Sequence, residues 1–308
     1  MQTKYAFFEG KIVPIDQAKV SVMTHAMHYG TACFGGIRAY WNEEEEQLYI
    51  FRLEEHIARF LTSTRLLLMD VSHSPEKLSA TILELLRCEG FREDTYVRPL
   101  AYKADLRIGV KLHGMTDEVT IFATPFGRYI DKEEGADVCV STWRRVDDNA
   151  IPARGKIAGA YVNSALVKSE ALMDGYDEAI VLDQHGHVSE GSAENLFMVR
   201  NGKLVTPAIT SNILEGITRR TIMELAAAEL GIETEEREID RTELYVCDEL
   251  FFCGTGVQVA AIATVDRRPV GSGKIGPITT QIRDLYFDVV KGRVEKYRAW
   301  NTPVYTEA

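Results

Sequence analysis

Short apolar runs, separated by glycine and polar turn residues, predict β-strands along the whole chain. The first two, YAFF and KIVP, flank Glu9-Gly10 and predict a hairpin. Asn201-Gly202, between LFMVR and KLVTP, is a strong signal for another hairpin with a two-residue turn. Further strands are predicted in IRAYW, QLYIFRL, DTYVRPLAY, EVTIFATPF, DVCVSTW, DEAIVLD, HVSEGSAENLFMV and ELFFCGTGVQVAAIATV.

Helical periodicity appears between these strands. LEEHIARFLTSTRLLLM has an apolar stripe with i, i+3 and i+4 spacing, and Arg59 lies off that stripe. Ser74 before Pro75 predicts a helix start, and Gly90 its end. Three more helices are predicted in AYVNSALVKSEALM, in ITRRTIMELAAAEL up to Gly231, and in PITTQIRDLYFDVV.

Because strands and helices interleave in both halves, the fold class is predicted to be α/β (mixed α+β). The polar segment GRYIDKEEGAD favours an interdomain linker at residues 130–137. The expected organisation is therefore a small N-terminal α/β domain, residues 1–129, and a large C-terminal α/β domain, residues 138–308.

Composition narrows the class of protein. A formal net charge of −11 argues against general binding to nucleic acid or anionic membranes. There is no stretch typical of a signal peptide and no run of about 18 apolar residues. The five cysteines are scattered without CxxC spacing, which favours reduced thiols and a cytoplasmic location.

The stretch IPARGKIAGAY carries the first candidate for chemistry, Lys156. Its small neighbours would let a bulky, flat molecule approach the backbone. A lysine amine that is partly desolvated or close to another cation can form a Schiff base near neutral pH. The competing interpretation is an ordinary surface lysine.

Glu190 in VSEGSAENLF is the second candidate. It ends an apolar strand, where a carboxylate should be nearly buried and needs a partner. The carboxylate could pair with a protonated ring nitrogen. Alternatively, it could be a strand-end glutamate that accepts backbone hydrogen bonds.

Two glycine-containing turns could bind an anion. Gly216-Ile217-Thr218 begins a long helix, whose N-terminal N–H groups attract negative charge. The turn Cys253-Gly254-Thr255-Gly256 could point further N–H groups at the same kind of ligand. Arg59 could add a cation. The alternatives are that Thr218 only caps the helix, that Cys253-Gly254-Thr255-Gly256 is an ordinary turn between strands, and that Arg59 is a surface arginine.

Taken together, a Schiff-base lysine, an acid for a ring nitrogen and phosphate-binding N–H groups are what pyridoxal 5′-phosphate requires.

Other motifs carry less weight. Gly271-Ser-Gly273-Lys-Ile-Gly276 matches G-x-G-x-x-G, but no βαβ unit follows it. The pairs His25/His28 and His185/His187 have no further ligand at a suitable spacing, so no metal site is expected.

Several long motifs together resemble the branched-chain amino acid aminotransferases, a family of fold-type IV pyridoxal-phosphate enzymes. The resemblance covers nearly the whole chain. It is carried, in the family's order, by HAMHYGTACFGGIRAY, EEHIARF, TYVRPL, KIAGAYVNS, SEGSAENLF, LEGITRR and FFCGTG. It implies a two-domain transaminase that moves the amino group of L-leucine, L-isoleucine or L-valine to 2-oxoglutarate, and the reverse.

The resemblance also implies a set of cofactor contacts. Lys156 would be the catalytic residue, forming the Schiff base and then moving a proton at the substrate's α-carbon. Glu190 would hold the pyridine nitrogen protonated, and Tyr161 would bond the ring's phenolic oxygen. The remaining cofactor residues, which would bind the phosphate or pack on the ring, are Arg59, Leu214, Ile217, Thr218 and Thr255.

Substrate contacts follow from the same resemblance. Tyr96 and the N–H groups of Thr255 and Gly256 would meet the α-carboxylate. Arg98 and Tyr129 would help to accept the second carboxylate of glutamate. The apolar side-chain pocket would be shaped by Tyr29, Phe34, Gly36 and Trp143. Arg38 matches the family pattern as well. A loop of the neighbouring subunit would complete the pocket, which implies a homodimer or a multiple of dimers.

Two positions depart from the family pattern and leave the substrate range open. Gly35 stands where many members have glutamate, and Gly256 where many have alanine. Both suggest a roomier pocket that also takes aromatic amino acids or primary amines. The alternatives are a D-amino acid or (R)-amine transaminase, or an aminodeoxychorismate lyase, of the same fold. A non-catalytic binding protein is a more remote alternative.

Overall fold

The structure is a computed structural model that describes residues 3–127 and 132–305. Tyr129 and the first two residues of the expected linker, 130 and 131, lie outside these residues. Within the described part of the chain, none of the helices combines the length and the apolar character that a membrane crossing requires.

The elements follow the predicted order closely. The strands are β1 Tyr5–Phe8, β2 Lys11–Pro14, β3 Ala32–Phe34, β4 Ile37–Asn42, β5 Gln47–Phe51, β6 Thr95–Lys103, β7 Asp117–Pro125, β8 Ala136–Arg144, β9 Glu178–Leu182, β10 Val188–Gly191, β11 Asn195–Arg200, β12 Lys203–Pro207, β13 Thr234–Arg237, β14 Glu249–Gly254, β15 Gln258–Val265, β16 Arg268–Pro269 and β17 Asn301–Pro303. The α-helices are α1 His25–Tyr29, α2 Leu53–Leu66, α3 Pro75–Glu89, α4 Tyr161–Met173, α5 Ile217–Leu230 and α6 Pro277–Val290. The prediction of a mixed α/β fold is confirmed.

Contacts divide the chain into two compact units. Unit 1 comprises residues 1–127, 155–160 and 288–308, and unit 2 comprises residues 128–154 and 161–287. The domain boundaries expected from the sequence put residues 138–308 together. The contact division instead groups the lysine segment, 155–160, and the C-terminal segment with the N-terminal residues.

The sheet of unit 1 pairs its strands in the order β17-β5-β4-β6-β7-β1-β2, and β3 also pairs with β6. The β1–β2 hairpin turns at Glu9 and Gly10, which both have positive φ, so the predicted turn is confirmed. Helix α1 was not predicted. It is a five-residue helix that ends at Gly30 in the left-handed conformation.

Helix α2 ends earlier than its apolar pattern predicts. The pattern runs through Leu68, but the helix stops at Leu66 and Leu68 is exposed with a positive φ. The buried face of α2 includes Ile57, Phe60, Ser63 and Thr64. Arg59 lies beside this face and is half-buried, which places a cation at its edge.

The lysine segment belongs to unit 1 because its backbone pairs with residues 30–34. Ile157 forms an antiparallel bridge with Cys33, and the Gly159 N–H donates to the Gly30 carbonyl at 3.2 Å. The two glycines must both be small, since a Cβ on Gly30 would lie 2.8 Å from Gly159 Cα. The C-terminal segment joins the same unit through pairing of β17 with β5.

The sheet of unit 2 has the order β10-β9-β8-β15-β14-β11-β12-β13, with β16 beside β15. Strand β8 is parallel to both β9 and β15, and β12 is parallel to β13. Helix α4 packs Val167 and Ala171 on Ala179 and Val181 of β9. Asn201 and Gly202 form the predicted hairpin turn between β11 and β12.

Candidate active site

Lys156 is fixed in unit 1 through both sides of its backbone. Its N–H donates to Ser63 Oγ of α2 at 3.1 Å, and its carbonyl accepts from the Phe34 N–H at 2.9 Å. Its Nζ lies 5.1 Å from the centroid of the Phe34 ring. The amine is therefore held over an aromatic face on a backbone with little freedom.

The small residues around Lys156 serve the chain's own packing. A Cβ on Gly155 would lie 2.9 Å from Leu66 Cδ1 of α2, and Gly159 contacts the Gly30 backbone. From the sequence, these residues are expected to let a flat molecule approach the backbone. In the structure they let the lysine segment lie against α2 and the backbone of residues 30–34.

A second group in unit 1 places an arginine among aromatic rings. The Arg98 guanidinium lies 4.4 Å from the centroid of the Phe34 ring, and its Nη2 donates to the Tyr96 hydroxyl at 3.2 Å. Among the described residues Arg98 pairs with no carboxylate, and its buried Nε has no hydrogen-bond partner. This guanidinium thus retains the capacity to bind an anion.

The Tyr96 hydroxyl leaves room only for glycine at position 36. A Cβ at Gly36 would lie 2.1 Å from that oxygen, so no larger residue fits without moving Tyr96. The neighbouring Gly35 is also tightly packed, since a Cβ there would lie 2.6 Å from Cγ of Pro99. Gly35 therefore leaves no open volume at this point, unlike Gly256, whose Cβ would meet nothing within 4 Å.

Two other candidates of unit 1 are held by the fold. The Tyr29 hydroxyl accepts from the Gly109 N–H at 3.1 Å, and its ring packs 4.6 Å from that of the buried His25. Arg38 is buried and donates through Nη2 to the carbonyls of Phe126 and Gly127 at 2.8 and 2.9 Å. Its hydrogen bonds thus hold backbone just after β7.

Glu190 in unit 2 is a buried carboxylate with a dense set of donors. It is 3% exposed, and its Oε1 lies 2.7 Å from Nη2 of the buried Arg145. Its Oε2 accepts from Asn195 Nδ2 at 3.0 Å and from the Leu214 N–H at 3.1 Å. A register shift in β10 between Val188 and Glu190 changes the local alternation of side chains. These donors favour the ionised carboxylate.

Asn195 connects Glu190 to the start of α5. Its Nδ2 also donates to the Leu214 carbonyl at 2.9 Å, two residues before the N-cap Gly216. A Cβ on Gly216 would lie 2.0 Å from Asn195 Oδ1, so this N-cap must be glycine. The N–H groups of the first helical residues, the buried Ile217 and Thr218, have no acceptor within the helix. No described side chain caps α5 in their place.

The remaining candidates of unit 2 occupy the ends of elements. Thr255 and Gly256 form the predicted turn between β14 and β15, where Gly254 pairs with Gln258. Tyr161 is the first residue of α4, and Trp143, near the end of β8, is 44% exposed.

A further buried carboxylate, Glu194, lies in the turn after Glu190. Its Oε2 accepts from the Ala193 N–H at 3.0 Å. Burial, followed by the negative charge of Glu178, raises the pKa of Glu194 to about 8. Glu178 itself is fully buried and paired with Lys168 Nζ at 2.7 Å. Glu194 thus keeps its proton to a higher pH than an exposed glutamate does.

Sequence reasoning missed three residues that position these groups. Arg145 and Asn195 hold Glu190, and Ser63 holds Lys156. Asn195 stood inside SEGSAENLF, and Arg145 in the Arg-Arg pair after Trp143, so both were visible as polar residues at strand ends. Ser63 gave no signal, because a serine on a helix face resembles any small buried residue.

Unit 2 fits a ligand that carries both a ring nitrogen and a phosphate. Its buried carboxylate is bonded to the Leu214 N–H, directly before a helix N-terminus without a side-chain cap. Unit 1, taken by itself, carries an anchored amine, and Arg59 one turn before its anchor Ser63. The residue types of each unit are among those that pyridoxal phosphate requires. Among the described residues no group of acidic, histidine or cysteine side chains is placed to hold a metal ion.

Comparison with known proteins agrees with this chemistry. Residues 32–265 match the family described as amino-transferase class IV. The "Probable branched-chain-amino-acid aminotransferase" of Aquifex aeolicus (strain VF5) is 54% identical over 98% of this chain and 97% of its own length.

Solved structures show the same fold. A branched-chain aminotransferase from Thermoproteus uzoniensis with norvaline superposes with a TM-score of 0.94 at 43% identity, over 98% of this chain and all of that one. The branched-chain amino acid aminotransferase from Thermobaculum terrenum, solved in its PLP form, also gives a TM-score of 0.94, at 41% identity, over 99% of this chain and 99% of that one.

Identity of this extent, over essentially the whole length of each relative, establishes the family and its cofactor. The chain belongs to the class IV aminotransferases of fold type IV, which depend on pyridoxal phosphate, and among them to the branched-chain-amino-acid aminotransferases.

Proposed function

We propose that this enzyme moves the α-amino group of L-leucine, L-isoleucine or L-valine to 2-oxoglutarate with Lys156 as its catalytic residue and Glu190 as the acid that faces the cofactor ring. The observation that carries this proposal is the environment of Glu190. A carboxylate only 3% exposed, yet bonded to Arg145 and two N–H groups, is held ionised and oriented. Such a group can keep a ring nitrogen protonated.

Pyridoxal phosphate, when bound, supplies an electron sink for the negative charge that develops at the substrate's α-carbon. Glu190 supports this by holding the proton on the ring nitrogen. Nζ of Lys156 would move the proton from the substrate's α-carbon to C4′ of the cofactor, and in the opposite direction in the reverse half-reaction. Its two backbone hydrogen bonds keep that amine in position.

The phosphate would be held by N–H groups and a cation. The first N–H groups of α5, at Ile217 and Thr218, have no described side-chain cap and form an anion site. Arg59 and Thr255 are assigned to the same phosphate, Tyr161 to the ring's phenolic oxygen, and Leu214 to the ring face. These assignments rest on family membership.

The substrate must offer an apolar side chain in one half-reaction and a second carboxylate in the other. The buried Phe34 ring lies beside Arg98, and Gly36 lies against the Tyr96 hydroxyl; the Arg98 guanidinium has no carboxylate partner among the described residues. We assign Tyr96, with the N–H groups of Thr255 and Gly256, to the α-carboxylate. Arg98 and Tyr129 are assigned to the second carboxylate, and Tyr29 and Trp143 to the side-chain pocket.

The protein is proposed to form a homodimer or a multiple of it. Unit 1 exposes an apolar patch formed by α1, the residues before it and the loop after β6. The patch comprises Val22, Met23, Met27, Leu106, Ile108 and Val110. The Thr24–Leu106 bridge and the hydrogen bond from the His25 N–H to the Asp105 carbonyl hold its two halves together. A patch of this kind is typical of a subunit interface.

Sedimentation of Ile108→Glu should show a smaller assembly, because a charge replaces an 87% exposed apolar side chain of the patch. Val246→Glu changes an exposed valine of unit 2 and is the matched control. An unchanged assembly in the first variant would contradict this surface.

A cytoplasmic location is proposed from the cysteines. Cys33, Cys139, Cys247 and Cys253 are buried, and burial raises the pKa of the Cys33 and Cys247 thiols to about 12. Such thiols resist oxidation and suit a reducing compartment.

The deciding test of function is the visible absorption of the cofactor-loaded protein with L-leucine, D-alanine and (R)-1-phenylethylamine added separately. Bleaching with L-leucine and recovery with 2-oxoglutarate are expected. Bleaching only with D-alanine or the amine would indicate a D-amino acid or (R)-amine transaminase instead. Lys156→Ala is the control and should not bleach with any donor, because it lacks the amine that moves the proton.

A further inference from the structure

Ser63 is the side chain that joins the lysine segment to α2. It is fully buried, accepts from the Lys156 N–H at 3.1 Å, and donates to the Arg59 carbonyl one turn earlier in the helix at 3.0 Å. Its single hydroxyl thus bonds the backbones of two residues that lie far apart in sequence. Both hydrogen bonds lie within unit 1.

The neighbouring Thr64 shows that a buried hydroxyl on this helix need not do this. Thr64 is 2% exposed, and its Oγ1 donates to the Leu61 carbonyl at 2.9 Å. That bond stays within α2. In the described part of the chain no side-chain hydrogen bond joins Thr64 to the lysine segment, so its hydroxyl has only a local role.

The other links of the lysine segment are made by backbone. The Phe34 N–H donates to the Lys156 carbonyl, and Ile157 bridges Cys33. These pairings fix Lys156 against β3. The Ser63 hydroxyl fixes its N–H against α2, which carries Arg59. A Cβ at Gly155 would contact Leu66, so α2 also packs directly on this segment.

We propose that Ser63 is a positioning residue that sets the Lys156 backbone at a fixed distance from the turn of α2 that carries Arg59, so that amine and phosphate-binding cation act as one preorganised pair. The inference rests on the proposed roles of Lys156 and Arg59. Removal of the hydroxyl leaves the partly buried Lys156 N–H without its acceptor, and the segment must shift to satisfy it.

The experiment compares Ser63→Ala with Thr64→Val, which each remove one buried hydroxyl from adjacent positions of α2. Amide hydrogen exchange at Lys156 is measured on the apoprotein, and the dissociation constant of pyridoxal phosphate by titration. For Ser63→Ala we expect about tenfold faster exchange at the Lys156 amide and about tenfold weaker cofactor binding, the size of one lost hydrogen bond. For Thr64→Val neither quantity should change.

Ser63→Cys fills nearly the same volume with a weaker acceptor, so it should change both quantities in the same direction even where Ser63→Ala folds poorly. Equal exchange and equal affinity in the Ser63 variants and Thr64→Val would overturn the inference. Failure of the proposed function would show separately, as a wild-type protein that takes up pyridoxal phosphate no better than Lys156→Ala does.

Discussion

Two helices of unit 2 begin in the same way and differ in what their N-termini bind. Both α5 and α6 start directly after a glycine, Gly216 and Gly276. At α6 the N–H groups of Ile278 and Thr279 donate to the carboxylate of buried Glu249 at 3.0 and 2.7 Å. At α5 no described side chain takes that place.

The difference separates a structural anion site from one left for a ligand. Helix α6 carries its own negative charge, which satisfies its first N–H groups and its positive dipole end. In α5 the nearby carboxylate, Glu190, accepts instead from Arg145, Asn195 and Leu214. The N-terminus of α5 is thereby left to an external anion, which we propose to be the phosphate of the cofactor.

The largest expected effect comes from neutralising the two carboxylates, Glu190 near α5 and Glu249 at α6. Glu190→Gln should lower kcat about a thousandfold, the upper range for losing one electrostatic group at a reaction centre. Glu249→Gln should leave kcat unchanged and lower the free energy of unfolding by about 2 kcal/mol, since the N–H groups of Ile278 and Thr279 lose a charged acceptor. Steady-state kinetics and denaturant unfolding of both variants check this pair.

Giving α5 a built-in acid should make it resemble α6. Thr218→Asp places a carboxylate in the first turn of α5, where it competes with and repels a phosphate. The dissociation constant of pyridoxal phosphate should rise about a hundredfold or more, as expected for like charges a few ångströms apart. Thr280→Asp adds an acid to the first turn of α6 and serves as the control. Equal affinities would show that α5 does not bind the phosphate.

The two N-cap glycines should respond differently to alanine. In Gly216→Ala the new Cβ meets Asn195 Oδ1 at 2.0 Å, which disturbs the residue that orients Glu190. In Gly276→Ala it meets Cδ of Glu249 at 2.1 Å. We expect about tenfold weaker cofactor binding in the first, and about 2 kcal/mol lower stability with unchanged binding by the folded protein in the second. Isothermal titration and thermal unfolding distinguish the two.

The last prediction concerns Glu194, a buried carboxyl group that caps neither helix. Its pKa is raised from 4.5 to about 8, first by burial and then by Glu178, so the folded protein keeps a proton that the unfolded chain releases. The free energy of unfolding should therefore fall as the pH rises through that interval and level off above it. Glu194→Gln cannot titrate and should gain stability relative to wild type across the same interval. Parallel pH curves of unfolding would contradict this.

Patterns along the chain predicted most strands and helices, including both hairpin turns and the start of α5. These predictions failed where contacts between distant residues determine the local structure. Leu68 continues the apolar spacing of α2, but the helix ends at Leu66. Gly35 was interpreted as a source of extra volume, whereas Pro99 fills that space. The partners Arg145 and Ser63 could not be predicted, because nothing in their local sequence specifies which distant residue they meet.

The grouping of residues 155–160 with unit 1 has a consequence for recombination between relatives. A chimera that joins residues 1–131 of this chain to the remainder of another family member would bring in a foreign lysine segment. That segment would have to pair with Gly30, Cys33 and Phe34 and meet the Ser63 hydroxyl. Productive crossovers should therefore exchange residues 155–160 together with the N-terminal part, as one inherited block.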